Sequence, residues 1–333
     1  MLPNHSSLEG YEHLGQKQSK LESPRVDPET AYRRPFLRPR SPQVQRDIAA
    51  LDPVRDCQRI VNLLATYEFP FDLQRALEVA LFHTYGSQSV SRLLDRTGEF
   101  SKRGQKRYDD TRLLLTHFTE SGWDLEMGAR AIAQMNHIHS FFKIPNDDYL
   151  FVLWTFIDFP IQWMRDFGWR PLTEHESQAW FSFWCELGRR MRLSDVPESK
   201  PAFDEFVRAY EAREFVANAA SHRVARATLT ILENWFPSPL RFAVAPAVLS
   251  LARPQLLPAI GMSAPAPWVG RAVRGVLKLR AWVKRHVSLE HSPVRIEGTP
   301  NRTYPGNQYT VERLGPEFAA RRPGGDDPGS VTR

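Results

Sequence analysis

The chain has 333 residues, of which 42% are hydrophobic, and a formal net charge of +6. This length allows one large core or two small ones, and two cysteines are too few for a cysteine-ligated zinc or iron–sulfur site or for a secreted disulfide framework. The basic residues lie mostly in the terminal segments and on helix faces beside acids, so nucleic acid is not expected as a partner.

The amino-terminal segment is polar, charged and interrupted by prolines, which predicts a disordered arm over residues 1–49. It has no apolar stretch typical of a signal peptide or an anchor, so we expect an intracellular, cytoplasmic protein with at most peripheral membrane association. Helical spacing of apolar residues begins near residue 52 and predicts helices over residues 53–67, 70–85 and 103–119.

The centre of the chain is rich in aromatic side chains and is predicted to be helical throughout. Residues 149–167 are apolar enough to suggest a membrane span, but Asp158 and Arg165 interrupt them, which favours a buried core helix kinked at Pro160. Further helices are predicted at 124–142, 173–191, 203–215 and 224–235, the second of them opened by a capping box of Thr173 and Glu176.

The carboxy-terminal third is predicted to contain three different kinds of segment. Residues 237–267 are apolar but include seven prolines, which favours an irregular cover or an apolar lip. Residues 271–286 have the pattern of a basic amphipathic helix. Residues 293–333 are predicted to be a polar tail. The sequence therefore predicts an all-α protein with one large helical domain, residues 50–292, and disordered flanking tails.

Two histidines lie close together in the helix predicted after residue 124. Positions i and i+2 differ by roughly 200° around a helix, so His137 and His139 cannot face one site. His139 shares its face with Ile132 and Phe142, which places it on the apolar side. Such an imidazole is either a core histidine bonded to a backbone carbonyl or a ligand of haem iron on an apolar wall, and the spacing alone leaves both open.

A second polar group lies at KRYDDT, residues 106–111. Arg107, Asp110 and Thr111 are spaced i, i+3 and i+4, which predicts that an arginine, a carboxylate and a hydroxyl share one helical face. The alternative is a helix start with an ordinary arginine–aspartate pair. His117, seven residues beyond Asp110 and on nearly the same face, is the reserve candidate for a ligand.

Several short motifs occur in a fixed order along the chain, and their succession resembles the family of rubber oxygenases and MpaB-type oxygenases. Each motif alone is weak, but together they extend the resemblance over roughly residues 60 to 215. The motifs are YEFP (67–70), TGEF (97–100), KRYDDT (106–111), MNHIH (135–139), GWR (168–170) with LTxxE (172–176), and LGxxM (187–191).

The resemblance implies a globin-like helical core around haem b. It also implies dioxygen-dependent cleavage or oxygenation of an apolar substrate derived from a prenyl or isoprenoid chain. By position, His139 would be the proximal ligand of the iron. Arg107 and Thr111 would act on dioxygen at the distal side. Arg170 of the GWR motif would be a further haem-binding residue.

One position departs from the rubber-cleaving branch of this family. Asp110 stands where that branch has a lysine and is therefore similar to the MpaB-type branch, which acts on small prenylated compounds. We expect Asp110 to be a third catalytic residue, and a small prenylated substrate rather than a polymer. For the base of the rubber-cleaving branch, Glu99 is the candidate.

Two other kinds of protein remain open from the sequence. The first binds haem without turnover, for sensing or storage, and would consume no oxygen with a prenylated substrate. The second is a haem-free helical interaction or lipid-binding protein, and would show no Soret band. Retention of Arg107, Thr111 and His139 together favours the oxygenase.

Overall fold

A computed structural model describes residues 36–37 and 42–320 of the chain. These residues form one all-α domain with thirteen α-helices and no β-strand, which confirms the predicted fold class. The helices of the first half are α1 (Gln43–Ala50), α2 (Cys57–Leu63), α3 (Pro70–Thr84), α4 (Gln88–Thr97), α5 (Glu99–Ser121), α6 (Glu126–Ser140) and α7 (Asn146–Phe167). In the first half, a π-helical turn, Leu64–Glu68, extends α2 toward α3.

The second half contains further helices and several single turns. The helices are α8 (Glu174–Arg190), α9 (Lys200–Glu214), α10 (Ala219–Glu233), α11 (Arg241–Leu249), α12 (Leu256–Ala259) and α13 (Pro267–His286). The 3₁₀ turns are Ser238–Leu240, Ile296–Gly298, Pro305–Asn307, Val311–Arg313 and Glu317–Ala319.

Local sequence explains where the central helices begin. Pro70 opens α3, where a missing N–H costs nothing, and Asp72 places negative charge in its first turn. Thr173 and Glu176 form the predicted capping box of α8, in which each side chain accepts a hydrogen bond from the other residue's backbone N–H. Both helices therefore start where the sequence places them.

The core lies around α7, which packs against both α3 and α8. Pro160 lies inside α7 without ending it, and Phe151 of that helix stacks on Tyr210 of α9 with ring centroids 4.5 Å apart. Trp180 and Trp184 of α8 are fully buried. In the described part of the chain, none of the helices has the length and apolar character needed to cross a membrane.

The carboxy-terminal segment differs from the predicted polar tail. Residues 293–320 pack onto the domain and bury Val311 and Leu314 in the main core. The Gln134 side-chain amide donates to the Leu314 carbonyl over 2.8 Å, which ties this segment to α6. Residues 321–333 of the predicted tail, and residues 1–35 and 38–41 of the predicted amino-terminal arm, lie outside the described residues.

Two further differences concern helices. Residues 88–97, for which no helix was expected, form α4, whose cap residue Ser87 accepts a hydrogen bond from the Val90 N–H. Residues 237–267 are not wholly irregular, because α11 and α12 form there although they contain Pro246 and Pro258. Residues 42–49, assigned to the disordered arm, include most of α1, which buries Val44 and Ile48.

Candidate functional site

A cavity of about 720 Å³ lies within the helical domain. This volume falls in the range of roughly 300–1,000 Å³ that is usual for small-molecule sites. Side chains of α3, α5, α6, α7, α10 and α11 line it, and most of its lining is apolar. Polar side chains interrupt this wall at several places, and their positions decide what the cavity can bind.

His139 is one of these polar groups and lies in the last turn of α6. Its imidazole is partly accessible, lines the cavity and contacts the Tyr149 ring edge-on, with centroids 5.2 Å apart. Within residues 42–320 the ring nitrogens form no hydrogen bond. Desolvation, with a smaller contribution from the charge of Arg107, lowers the pKa of His139 to about 4. The imidazole is therefore neutral at physiological pH and presents a free nitrogen lone pair.

Arg107 and Thr111 line the same cavity from α5, a helix that packs against α6. The Arg107 guanidinium donates to the Thr111 hydroxyl, which in turn donates to the Arg107 carbonyl over 2.9 Å. The guanidinium carbon also lies 5.6 Å from the centroid of the Phe100 ring. No carboxylate among the described residues forms an ion pair with Arg107. The cavity thus contains a cation whose remaining N–H groups are available to a ligand.

Asp110 is not brought together with these two residues. Its buried carboxylate accepts from the Lys106 ammonium over 2.6 Å, the Tyr304 hydroxyl over 2.6 Å and the Gly315 N–H over 3.0 Å. It does not line the cavity. Contrary to the prediction, Asp110 therefore does not share the cavity-facing side of α5 with Arg107 and Thr111. It bonds instead to the carboxy-terminal segment on another side of that helix.

Arg170 also lies away from the cavity, contrary to its expected place beside haem. Its guanidinium donates two hydrogen bonds to Glu176, of 2.6 and 2.7 Å, and one to Glu68 over 3.2 Å. It lies over the Phe69 ring, 5.0 Å from the centroid. Two buried carboxylates thus hold the terminal nitrogens of Arg170 in the fold.

The reserve histidine and the candidate base are occupied elsewhere. His117 is buried, and its Nε2 lies 2.8 Å from the hydroxyl of Tyr309 in the carboxy-terminal segment. His137 packs edge-on against Phe141. Glu99 is buried and paired with Arg103, with 2.6 Å between the charged atoms. None of these three predicted residues lines the cavity.

The structure adds polar cavity residues that the sequence analysis missed. The Tyr108 hydroxyl donates to the Glu78 carboxylate, and burial raises the pKa of both groups. His83 is buried, with Nε2 bonded to Glu211 over 2.7 Å and Nδ1 without a hydrogen-bond partner in the described residues. The partners are 30 residues apart in the first pair and 128 in the second, so no local spacing could reveal them.

Glu120 lies at another part of the cavity wall and gives a testable pH dependence. Its carboxylate accepts from the Ile296 N–H over 2.8 Å, and burial raises its pKa to about 7 from an ordinary value of 4.5. Between these values the folded chain binds more protons than the unfolded chain. The free energy of unfolding contributed by Glu120 therefore falls as pH rises through this window, by roughly 3 kcal/mol in total.

We expect the Glu120→Gln variant to lack this fall in the free energy of unfolding with rising pH. Its free energy of unfolding, measured by urea denaturation, should match that of the wild type near pH 4.5 and exceed it by about 3 kcal/mol near pH 8. The glutamine oxygen still accepts from the Ile296 N–H, which keeps the packing matched. A difference that stays constant with pH would contradict the expectation.

No group of three or more histidine, cysteine or carboxylate side chains able to hold a bare metal ion occurs in the described ranges. The free cysteines Cys57 and Cys185 are both buried, and burial raises the pKa of Cys57 to about 11 and of Cys185 to about 12. A haem iron needs only axial ligands from the protein. His139 is therefore the donor to consider for such a group.

The chain matches a known family over about half of its length. Residues 106–287 match the family described as "ER-bound oxygenase mpaB/B'/Rubber oxygenase, catalytic domain". This range contains α6 and α7 entirely and the part of α5 that carries Arg107 and Thr111.

Individual proteins with similar sequences carry related names. An "ER-bound oxygenase mpaB" of Penicillium roqueforti (strain FM164) is 33% identical over 51% of this chain and 63% of its own length. The "ER-bound oxygenase mpaB" of Penicillium brevicompactum is 31% identical over 53% of this chain and 50% of its own. The "ER-bound oxygenase mpaB'" of Penicillium brevicompactum is 30% identical over 68% and 57%. The chain thus spans between half and two thirds of these relatives.

Proposed function

The chain belongs to the mpaB/rubber oxygenase catalytic-domain family, and we propose that it binds haem b through His139 and uses dioxygen to oxygenate or cleave an apolar, prenyl-derived substrate. The observation that carries this proposal is the neutral imidazole of His139, which lines an apolar cavity and forms no hydrogen bond with a described residue. Arg107 and Thr111 line the same cavity.

The cavity residues fit a haem on three counts. A porphyrin needs apolar contact on both faces and a nitrogen donor for its iron, and the lining supplies both. An ordinary core histidine would bond to a backbone carbonyl, and His139 does not do so in the described residues. The guanidinium of Arg107, which forms no ion pair with a described carboxylate, complements negative charge on a ligand. We therefore assign His139 as the iron ligand and Arg107 and Thr111 as further residues of the haem pocket.

Haem supplies the ability to activate dioxygen, and the side chains control where that reactivity is directed. With haem bound, Arg107 would donate hydrogen bonds to a ligand that gains negative charge. Its guanidinium would need little reorganisation, because Thr111 and Phe100 already hold it. The apolar lining excludes water and binds the hydrocarbon part of the substrate.

Asp110 has a different role in this proposal from the catalytic one expected from its sequence position. Its carboxylate joins α5 to Tyr304 and Gly315 of the carboxy-terminal segment. We assign it as a positioning residue, which fixes the helix that presents Arg107 and Thr111. Because Asp110 does not line the cavity, it contacts neither haem nor substrate.

The location of the protein is also a proposal. Two free, buried thiols accord with the reducing, intracellular compartment expected from the sequence. The relatives named above are described as bound to the endoplasmic reticulum, and we propose for this chain a site of action at or near a membrane, where prenylated compounds concentrate.

Oxygen uptake tests this function. The haem-loaded chain should consume oxygen on addition of a prenylated phenol, and the products should carry new carbonyl or hydroxyl groups by mass spectrometry. The Arg107→Leu variant should keep its haem but consume oxygen roughly 10²–10³ times more slowly, because a donor to the developing charge is lost.

The Lys102→Leu variant is the matched control, since it removes a cation from an exposed position on the same helix. It should retain the wild-type rate. A haem-loaded wild type that consumes no oxygen with any prenylated phenol or carotenoid would instead indicate a haem carrier or sensor. Equal rates in wild type and Arg107→Leu would remove Arg107 from the reaction.

A further inference from the structure

Helix α13 presents an apolar face that no described part of the chain covers. Its side chains at positions 268, 276, 279 and 282 fall within an arc of roughly 120° on the helix. Each of them is more than 60% exposed, whereas the opposite side of the helix buries Gly270, Ala281 and Lys284. The exposed apolar residues of this helix are Trp268, Val276, Leu279 and Trp282.

The same helix carries an unbalanced positive charge. Residues 267–286 contain six lysines and arginines and no acidic residue. Two of the cations, Arg280 and Lys284, pair with Asp72 and Glu290. The other four are exposed, lie on one flank of the apolar arc and form no ion pair with a described residue: Arg271, Arg274, Lys278 and Arg285.

This face adjoins the entrance of the cavity. Helix α13 packs against α11, and the Arg274 guanidinium donates to the Ser250 carbonyl at the end of α11 over 3.2 Å. Phe236 and Leu240 line the cavity and are also 45% and 54% exposed, so they form part of its rim. Phe242, at the start of α11, is 81% exposed. We use the name α11–α13 surface for Leu240, Phe242 and the four exposed apolar and four exposed basic residues of α13 given above.

We propose that the α11–α13 surface docks the domain on an anionic lipid bilayer, with the cavity entrance close to the membrane. A helix with tryptophans and aliphatic side chains outward and arginines and lysines along its flank lies in the interface between headgroups and acyl chains. The four cations would face anionic headgroups, each adding to binding. A second copy of the chain fits this surface less well, because a two-fold contact would bring like charges together.

Docking in this way gives an apolar substrate a short path from the bilayer into the cavity. This path rests on the proposed function, whereas docking itself requires neither haem nor turnover. A test of lipid binding can therefore fail while oxygen uptake succeeds, and the reverse also holds.

The test is co-sedimentation of the full chain with phosphatidylcholine vesicles, with and without phosphatidylserine. We expect binding to the vesicles that contain phosphatidylserine, and a large loss of it between ~0.1 M and ~1 M salt, as the Debye length falls from about 10 Å to 3 Å. The double variant Arg271→Gln, Lys278→Gln should bind about fivefold more weakly for each charge removed. The double variant Leu279→Ser, Trp282→Ser should also lose binding.

Matched controls carry the same kinds of substitution elsewhere on the exposed surface. They are Lys143→Gln with Arg208→Gln for charge, and Val54→Ser with Leu125→Ser for apolar area. Both controls should bind vesicles as the wild type does. The proposal is overturned if the wild type does not bind vesicles or if the controls lose binding equally. It is also overturned if the double variant Leu279→Ser, Trp282→Ser dissociates a dimer of the chain without changing vesicle binding. Oxygen uptake with detergent-dispersed substrate should be unchanged in every variant.

Discussion

The His139→Ala variant should lose its haem. The imidazole is the only neutral nitrogen donor that we assign to the iron, and alanine offers none. Removing a hydrogen-bond partner of a metal ligand already costs roughly 10–100-fold in affinity, so removal of the ligand itself should cost more. The measurement is haem content and the Soret absorption of protein produced with a haem supply, followed by titration of the haem-free chain with ferric haem.

The matched control is His137→Ala, which removes an imidazole two residues away on the same helix. His137 packs against Phe141 and does not line the cavity, so the control should bind haem like the wild type. Circular dichroism should show the same helix content in both variants, because neither side chain belongs to the buried core. Equal haem affinity in His139→Ala and the wild type would contradict the assignment.

The Arg170→Met variant should lose stability. Glu68 and Glu176 are almost fully buried, and Arg170 forms an ion pair with each of them. Methionine has a similar length but removes the guanidinium that pairs with both carboxylates. Breaking a buried ion pair in this way costs roughly 3–5 kcal/mol in the free energy of unfolding. Urea denaturation with tryptophan fluorescence measures this loss.

The Arg165→Met variant is the control for that experiment. Arg165 is 62% exposed, and its one ion pair with a described residue is that with its neighbour Asp166, so its replacement should cost less than about 1 kcal/mol. Haem affinity separates the two roles considered for Arg170. If Arg170→Met kept wild-type stability and lost haem, Arg170 would be a cofactor residue, as the sequence analysis expected.

The fold could be predicted where local chemistry determines it. Pro70, which has no N–H to donate, and the Thr173–Glu176 capping box, which forms two hydrogen bonds, both mark helix starts. Both predicted starts agree with the structure. Helix α4 was missed because its sequence has few apolar residues and its packing partner, α10, lies more than 100 residues later. Local periodicity contains no information about such a contact.

The carboxy-terminal segment was missed for a related reason. Its buried residues, including Ile296, Val311 and Leu314, are isolated in sequence and follow neither the period of a helix nor that of a strand. Long-range hydrogen bonds hold the segment, such as the one from the Thr303 N–H to Asp109 over 3.0 Å. The polar composition therefore predicts a disordered tail, whereas in the structure residues 293–320 pack on the domain.

The candidate site was predicted in part. The apolar stripe of its helix places His139 toward the cavity, and the spacing of Arg107 and Thr111 brings these two together. Asp110 and Arg170 could not be placed in the same way, because each bonds to residues distant in the chain. Helical spacing gives the direction of a side chain but does not identify its partner.

Resonance Raman spectroscopy of the reduced, haem-loaded chain tests the central claim most directly, because it detects the bond between the iron and an axial imidazole. We predict an iron–histidine stretching band in the wild type, its absence in His139→Gly, and its return at a shifted frequency when imidazole is added to that variant. An unchanged band in His139→Gly without imidazole would show that another residue ligates the iron.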